Sequence, residues 1–354
     1  MKYTIGTRGS NLSLAQTNWV ISELKKTNSE TEYEIKTITT KGDTDTRPLF
    51  SLDQKGIFEK EIDRAVVEKE VDFAVHSLKD VPSELGPNLS LSCIPLRESV
   101  HDVFISSDGT TLENIKSGAV IGTSSLRRAV QVLRLRSDVV IKSIRGNIES
   151  RIKKINEGQF DGVVLAQAGI NRLGLDVKVT PLSIIDFPPS PGQGALGIVS
   201  RSDDEKTIAM LKKIEDADSR LKIEAERALS KFVESGCRFP VGAFAELIGN
   251  DLKLTVAVYS IDGKKSIIVE KSGNKNDPFA LGKLVGEELN NQGVNELALN
   301  WREKGDKKTK WICGCFQTAD DYFKFCNTHN ETLKKAIQAQ VDELDMTLII
   351  DEKD

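Results

Sequence analysis

The chain has 354 residues, 39% of them hydrophobic, and a formal net charge of −4, which indicates two or three globular domains and argues against a general nucleic-acid surface. No apolar run approaches the roughly 18 residues that a membrane span needs, and no basic segment followed by an apolar one marks an export signal at the N-terminus. Because five unevenly spread cysteines do not form a disulfide framework, we expect a cytoplasmic protein with reduced thiols.

Strands and helices alternate along the first part of the chain. Residues 2–7 and 32–40 have the pattern of strands, and the amphipathic run 12–26 between them has that of a helix. Residues 56–70 carry apolar side chains at helical spacing and lead into the apolar strand 71–78. This alternation predicts an α/β fold with a mostly parallel sheet.

The same pattern restarts near residue 100. The predicted strands are 119–125, 139–146 and 161–169, and the predicted helices are 126–136 and 148–158. Both units have Ile-Gly-Thr at the end of a strand, then a turn with Ser or Arg, then a helix. The free N–H groups at a helix N-terminus attract anions. Two such units facing each other would form a cleft lined by both turns.

Basic and hydroxyl side chains gather at these turns. The planar guanidinium group of arginine can donate two parallel hydrogen bonds to a carboxylate or a phosphate. Several arginines together would therefore hold a ligand with many acidic groups. Taken alone, the serines are explained equally well as helix caps. The candidate binding residues are Arg8, Ser10, Ser125, Arg127, Arg128, Arg145 and Arg151.

The stretch HSLKDVP, residues 76–82, follows an apolar strand. Its adjacent Lys79 and Asp80 fit a structural ion pair. Alternatively, Asp80 faces the arginine-lined cleft and stabilises a cation that develops on a ligand held by its acidic groups. The position just past buried strand residues favours the second interpretation, whereas His76 within the strand fits a core histidine.

Eight motifs occur in order between residues 1 and about 297, namely GTRGSNLSLAQ, KGDTDT, KGIFEKEID, FAVHSLKDVP, IGTSSLRRAVQ, IRGNIESRI, PPSPGQGALGI and SGCRFPVGAFAEL. Together they resemble the porphobilinogen deaminase (hydroxymethylbilane synthase) family of tetrapyrrole biosynthesis. The resemblance implies a transferase that condenses four porphobilinogen molecules head to tail into linear hydroxymethylbilane and releases ammonia at each addition.

The resemblance also implies three domains: two periplasmic-binding-protein-like α/β lobes with a cleft between them, and a smaller α+β domain that carries a cofactor cysteine. The Pro- and Gly-rich run 188–201 suits a hinge. The expected boundaries are 1–97 with 190–215 for domain 1, 100–187 for domain 2, 218–297 for domain 3, and 298–354 for a C-terminal extension of unknown role.

The family's residue roles transfer to matching positions. Cys237 would carry a dipyrromethane cofactor through a thioether bond, a role that suits a nucleophilic thiolate. Asp80, with Lys79 beside it, would face the pyrrole N–H groups and the cation left when the amino group departs. The arginines and serines named above would bind the acetate and propionate groups of substrate and cofactor. Further cleft residues implied by the family are Gln16, Asp43, Lys55 and Phe58.

A second class of function fits part of the pattern. A solute-binding protein also has two α/β lobes and anion-binding turns, but it needs neither Cys237 nor Asp80 and usually carries an export signal. A nucleotide-binding enzyme fits less well, because no G-x-x-x-x-G-K-[ST] motif occurs. We therefore expect an enzyme that takes the small molecule porphobilinogen, acts as a monomer, and binds neither nucleic acid nor membrane.

The C-terminal extension holds most of the cysteines. Cys313, Cys315 and Cys326 lie close to His329, and zinc takes four such ligands tetrahedrally. However, C-x-C is less usual than C-x-x-C in structural zinc sites. The alternative is a small apolar cluster with a helical appendage over residues 331–350. In either case the extension is expected to be dispensable for chemistry.

Overall fold

The computed structural model describes residues 2–40, 59–234, 240–260, 263–294 and 297. The strands are β1 (Lys2–Thr7), β2 (Glu32–Thr37), β3 (Phe73–Ser77), β4 (Leu89–Cys93), β5 (Asp102–Ser106), β6 (Val120–Gly122), β7 (Val140–Lys142), β8 (Gly162–Ala166), β9 (Thr180–Pro181), β10 (Leu196–Arg201), β11 (Val241–Ile248), β12 (Asp251–Tyr259) and β13 (Ser266–Asn274). The α-helices are α1 (Asn11–Thr27), α2 (Lys60–Val67), α3 (Leu126–Leu135), α4 (Ile148–Asn156), α5 (Gln167–Leu173), α6 (Glu205–Leu211), α7 (Ala217–Glu234) and α8 (Pro278–Asn291).

Lobe 1 is built on a five-stranded sheet in the order β2-β1-β3-β10-β4. Strand β1 pairs parallel with β2 and β3, whereas β10 runs antiparallel to β3 and β4. Apolar residues of α1 and α6 pack on one group of strand residues, and those of α2 pack on another. Phe73 and Ile5 are fully buried at the centre of this sheet.

Lobe 2 repeats the design with the order β7-β6-β8-β5-β9. Strand β6 is parallel to β7 and β8, whereas β5 is antiparallel to β8 and β9. The α/β class predicted from the sequence is confirmed, and in each sheet four of the five strands run in one direction, while β10 in lobe 1 and β5 in lobe 2 run against them. Alternation of strands and helices predicts only the βαβ units, in which a crossover helix makes neighbouring strands parallel. Strands β5 and β10 instead follow the two connections between the lobes and enter their sheets in the opposite direction.

Domain 3 packs α7 and α8 against the three-stranded antiparallel sheet β11-β12-β13. Leu252, Leu254 and Val256 of β12 are buried, while Lys253 and Thr255 between them are partly exposed, as the two-residue period of a strand requires. At the end of β12, Tyr259 packs against Val130 of α3. The sheet of domain 3 therefore packs against α3 of lobe 2 as well as against α7 and α8. In the described part of the chain, no helix has the length and apolar character needed to cross a bilayer.

Candidate active site

A cavity of about 560 Å³ lies between the two lobes. Its walls come from the turns after β1 and β3 and the start of α1 in lobe 1, and from the turns after β6, β7 and β8 in lobe 2. These are the carboxyl ends of the parallel strands, where ligands bind in open α/β sheets. The charged side chains and the predicted polar ones on the walls are Arg8, Ser10, Gln16, Lys79, Asp80, Arg128, Arg145, Arg151 and Arg172.

The start of α1 combines helix capping with cavity lining. The Ser10 hydroxyl accepts a hydrogen bond from the Ser13 backbone N–H at 3.2 Å and so caps the helix. One turn further along, buried Gln16 donates from Nε2 to Ser77 Oγ at the end of β3, 2.8 Å away. The two interpretations of Ser10, a cap and a cleft residue, are therefore compatible.

Two of the predicted residues lie elsewhere than on the cavity wall. Ser125 caps α3, because its hydroxyl accepts from the Arg128 backbone N–H at 3.4 Å. Arg127 donates from Nη2 to Asp102 Oδ2 at 2.7 Å and from Nη1 to the Pro188 carbonyl at 2.7 Å. Arg127 is thus held behind the cavity, where it ties lobe 2 to the return connection.

Asp102, at the start of β5, was not predicted from the sequence and organises this region. Its Oδ1 accepts from Arg128 Nε at 3.0 Å and Nη2 at 2.7 Å. Burial alone would raise the pKa of Asp102, but the charges of Arg127 and Arg128 lower it to about 2. Because Arg128 also lines the cavity, Asp102 holds a binding arginine in place through a charge-assisted pair.

Positive charge accumulates on the lobe 2 wall. Burial, and then the charges of Arg128 and Arg145, lower the pKa of Arg151 to about 10. Burial likewise lowers the pKa of Arg172 to about 10, with Glu98 opposing the shift. Sequence reasoning missed Arg172, because it lies near the end of α5 rather than in a turn, and the spacing of its neighbours gives no signal. Such crowding of cations favours a ligand with several carboxylates.

Lys79 and Asp80 form a short 3₁₀ turn directly after β3. Both side chains are exposed to the cavity, yet protein surrounds the Lys79 ammonium closely enough that burial, followed by the charge of Arg128, lowers its pKa to about 8. Asp80 opposes that shift. The turn is therefore a place where a carboxylate and a readily neutralised amine meet the cations of lobe 2.

The glycine-rich return connection supports this turn from behind. Gly192 has a φ of +75°, and a Cβ atom there would lie 3.2 Å from the Lys79 backbone nitrogen. Gly194 has a φ of +85°, and a Cβ atom there would lie 2.4 Å from the Glu98 carbonyl oxygen. Only glycine meets both the backbone angles and the close approach at these two positions.

Several predicted residues lie outside the described residues. The structure gives no account of Asp43, Lys55, Phe58 and Cys237, or of Cys313, Cys315, Cys326 and His329. Elsewhere, in the ranges that the structure describes, no group of Cys, His, Asp or Glu has the arrangement of a metal site.

Two family descriptions match this chain. "Porphobilinogen deaminase, dipyromethane cofactor binding domain" covers residues 3–209, and "Porphobilinogen deaminase, C-terminal domain" covers residues 220–291. The chain belongs to the porphobilinogen deaminase family. The resemblance drawn from the eight motifs is confirmed, and the C-terminal extension lies beyond both matched regions.

Two proteins named porphobilinogen deaminase match this chain over nearly their whole length. The "Probable porphobilinogen deaminase" of Nitrosopumilus maritimus is 69% identical over 310 residues, which are 88% of this chain and 100% of the relative. The porphobilinogen deaminase of Brevibacillus brevis is 43% identical over 299 residues, 84% of this chain and 96% of its own. Among solved structures, the methionine-binding protein MetQ matches 65% of this chain and 93% of its own with 12% identity and a TM-score of 0.38, too low to support an argument.

Family membership fixes the reaction. The chain is an enzyme of tetrapyrrole biosynthesis that condenses four porphobilinogen molecules head to tail into hydroxymethylbilane and releases ammonia. The description that matches residues 3–209 also names the cofactor, a dipyrromethane. The cations around the cavity suit such a group, since each of its pyrroles carries an acetate and a propionate.

Proposed function

We propose that the cavity between the lobes is where porphobilinogen is added, with Asp80 opposing the cation that forms on the substrate and the arginines holding carboxylates. One observation carries this proposal. Among the described residues of the cavity wall, Asp80 is the single acidic side chain, whereas Arg8, Lys79, Arg128, Arg145, Arg151 and Arg172 are basic. A polycarboxylate that develops a local positive charge requires this distribution.

Each addition breaks one bond and forms another. The C–N bond of the porphobilinogen aminomethyl group breaks, ammonia leaves with the electron pair, and the remaining cation is shared with the pyrrole nitrogen. A ring carbon of the terminal pyrrole then supplies the electrons for a new C–C bond and loses its proton. A dipyrromethane held through its carboxylates by the arginines of the cavity wall would supply the first such terminal pyrrole. The Asp80 carboxylate lowers the barrier for the first step, because its charge opposes the cation in a cleft surrounded by protein.

The arginines position the substrate for this chemistry. Arg145 lies in the turn between β7 and α4, and Arg151 lies in the first turn of α4. Arg128, at the start of α3, lines the same cavity as Lys79. Guanidinium groups pair with carboxylates through two parallel hydrogen bonds, which fixes orientation as well as affinity. Burial is the main cause of the lowered pKa of Arg151, and bound carboxylates would relieve the second cause, its repulsion by Arg128 and Arg145.

We also propose that Cys237 bears the cofactor through a thioether bond. The elements on either side of its segment are both fastened beside the cavity. On α7, Arg227 Nη2 donates to the carbonyls of Pro82 at 2.7 Å and Ser83 at 2.9 Å, just past Asp80. At the start of β11, the Ala243 N–H donates to the Pro189 carbonyl in the return connection at 2.7 Å. The helix and the strand that flank this segment are therefore both held at connections next to the cavity, which supports the proposal.

Intact mass under denaturing conditions tests this attachment. We expect the purified enzyme to exceed the polypeptide mass by that of a dipyrromethane, and Cys237→Ser to show the bare mass and to lose activity, because a serine hydroxyl forms its anion far less readily than a thiol. Cys93→Ala is the matched control, since Cys93 is buried in lobe 1, and it should keep the adduct. A bare mass for the unchanged protein would refute covalent attachment of the cofactor at Cys237.

Asp80→Asn tests the electrostatic role. The substitution keeps the shape of the side chain and removes its charge, so we expect kcat to fall by about 10²–10³-fold while the cofactor adduct remains. Arg151→Leu should instead raise KM, because it removes a carboxylate partner. Asp108→Asn, on an exposed turn of lobe 2, controls for the loss of a carboxylate. Near-normal turnover in Asp80→Asn would refute the assignment.

We propose, finally, that Cys313, Cys315, Cys326 and His329 bind one zinc ion. The support is chemical, since these residue types are zinc ligands and lie within a short segment. Metal analysis of the reduced protein should find about one zinc per chain, lost in a Cys313→Ser/Cys326→Ser variant that stays active. Less than about a tenth of an equivalent of zinc would reject the site.

A further inference from the structure

A buried glutamine of the return connection contacts the carboxylate that holds Arg128. Gln193 is only 1% exposed. Its Nε2 donates to the Val100 carbonyl at 2.9 Å and to Asp102 Oδ1 at 3.1 Å. Both partners can only accept hydrogen bonds, so the opposite orientation of the amide would turn its oxygen towards two other oxygens. The side chain of Gln193 therefore acts as a donor to Asp102.

The backbone of Gln193 is fixed by the other connection between the lobes. Arg97, in the connection from lobe 1 to lobe 2, donates from Nε to the Gln193 carbonyl at 2.9 Å. The Glu98 backbone N–H donates to the carbonyl of the next residue, Gly194, at 3.1 Å. Both of these contacts are independent of Asp102. Gln193 is therefore a fixed point from which the carboxylate of Asp102 can be oriented.

The bonds that Arg128 makes to the protein leave part of its guanidinium group for a ligand. Of its five N–H groups, Nε and one on Nη2 donate to Asp102, and one on Nη1 donates to the Val164 carbonyl at 3.2 Å. No acceptor among the described residues takes the other two, which belong to the terminal nitrogens of a side chain that lines the cavity. Since a carboxylate and a guanidinium pair through parallel hydrogen bonds, the rotation of the Asp102 carboxylate sets the direction of these two N–H groups.

We propose that Gln193 is a positioning residue for substrate binding: by fixing the Asp102 carboxylate, it directs the two remaining N–H groups of Arg128 towards the substrate. An amide suits this task, because it donates to Asp102 without adding a positive charge that would compete with Arg127 and Arg128. The inference rests on the proposed role of Arg128. Its signature is a raised KM with little change in kcat, since Asp80 is left as it is.

The test measures kcat and KM for porphobilinogen with holoenzyme whose cofactor adduct has been verified by intact mass. Gln193→Met keeps the length of the side chain and removes both hydrogen bonds of Nε2. We expect KM to rise about fivefold and kcat to stay within about twofold, as the loss of one hydrogen bond that acts on binding predicts. Ser92→Ala is the matched control, because it removes a buried hydrogen bond of 2.7 Å to Ser200 inside lobe 1, and its KM should not change.

A double variant separates positioning from a general loss of stability. Arg128→Lys replaces the planar guanidinium with a point charge that has no plane to orient. Adding Gln193→Met to it should therefore raise KM by less than about twofold. The same fivefold increase in both backgrounds overturns the proposal, and so does a Gln193→Met enzyme with unaltered KM or with a large fall in kcat.

Two further comparisons keep the test decisive. If Gln193→Met does not fold, Gln193→Leu removes the same two hydrogen bonds and takes its place. A near-normal KM in Arg128→Lys and in Arg128→Leu refutes the proposed role of Arg128 itself. A raised KM in those variants together with an unaltered KM in Gln193→Met refutes only this inference.

Discussion

Replacing Glu226 with alanine tests what holds the three domains together. Its carboxylate is fully buried and accepts four hydrogen bonds, from Arg97 Nη1 at 2.7 Å and Nη2 at 3.0 Å, from the Gly192 N–H at 2.7 Å and from the Ala245 N–H at 2.8 Å. Arg97 lies in the connection from lobe 1 to lobe 2, Gly192 in the return connection and Ala245 in β11. One side chain of α7 thus joins both connections to domain 3.

The expected loss of stability follows from burial. The Arg97 side chain is 6% exposed and that of Glu226 is 0% exposed, so removing the carboxylate leaves a buried guanidinium without its counter-charge and two backbone N–H groups without an acceptor. Breaking a buried pair in this way costs about 3–5 kcal/mol. For a cooperative unit of about 300 residues, an unfolding entropy of about 2.1 cal/mol/K per residue means that each kcal/mol lowers Tm by about 1.6 °C. We therefore expect Glu226→Ala to lower Tm by about 5–8 °C.

Calorimetry of the holoenzyme with a matched surface pair checks this estimate. Lys36 and Glu70 are also 2.7 Å apart, but their side chains are 45% and 47% exposed, so Glu70→Ala should cost only about 0–1 kcal/mol. The double variant Arg97→Met/Glu226→Met should recover part of the loss, because no charge is then left unpaired. A Glu226→Ala protein that unfolds no earlier than Glu70→Ala would refute the reasoning.

Two further predictions concern backbone approach and pH. Gly242→Ala should destabilise the protein by about 1–3 kcal/mol, because a Cβ atom there would lie 2.5 Å from the Pro188 carbonyl oxygen; a thermal scan measures the change, and an unaltered Tm would contradict it. The folded-state pKa of Asp102, about 2, lies below its ordinary 3.8, so its contribution of about 2 kcal/mol is present above pH 3.8 and lost as pH falls towards 2. Acid titrations of stability should show this loss for the unchanged enzyme and not for Asp102→Asn.

Local patterns predicted the βαβ units well but did not predict the one reversed strand in each sheet, β10 in lobe 1 and β5 in lobe 2. The predicted helix 12–26 is observed as Asn11–Thr27, because Ser10 caps it and apolar residues recur at helical spacing. The predicted helix 56–70 is described only as Lys60–Val67. The antiparallel pairing of β10 with β3 joins residues more than a hundred positions apart, and no local period encodes such a pairing.

The residues of the candidate site were also predicted only in part from the sequence. Arg8, Arg128 and Asp80 were predicted because the carboxyl ends of parallel strands meet at one edge, and that rule needs only local structure. Asp102 was missed because its sequence position is that of an ordinary strand residue, and its partners follow 25 and 26 residues later. Sequence alone therefore indicates which cations face a cleft better than which carboxylates hold them there.

The contacts that join the two lobes differ between the two sides of the cleft. Such a difference suits an enzyme whose bound pyrrole product lengthens with each addition. On the connection side, Glu226 is buried with four donors, and Asp102 is buried with two arginines. On the opposite side, among the described residues, α1 of lobe 1 packs against α5 of lobe 2, and an exposed hydrogen bond, 2.9 Å long, runs from Asn11 Nδ2 to Glu149 Oε1 of α4. An exposed hydrogen bond contributes about 1 kcal/mol or less, whereas disrupting a buried charged network costs several times as much. Separating the lobes on the Asn11–Glu149 side would therefore break the packing of α1 on α5 and one exposed hydrogen bond, but none of the buried ion pairs of the described residues.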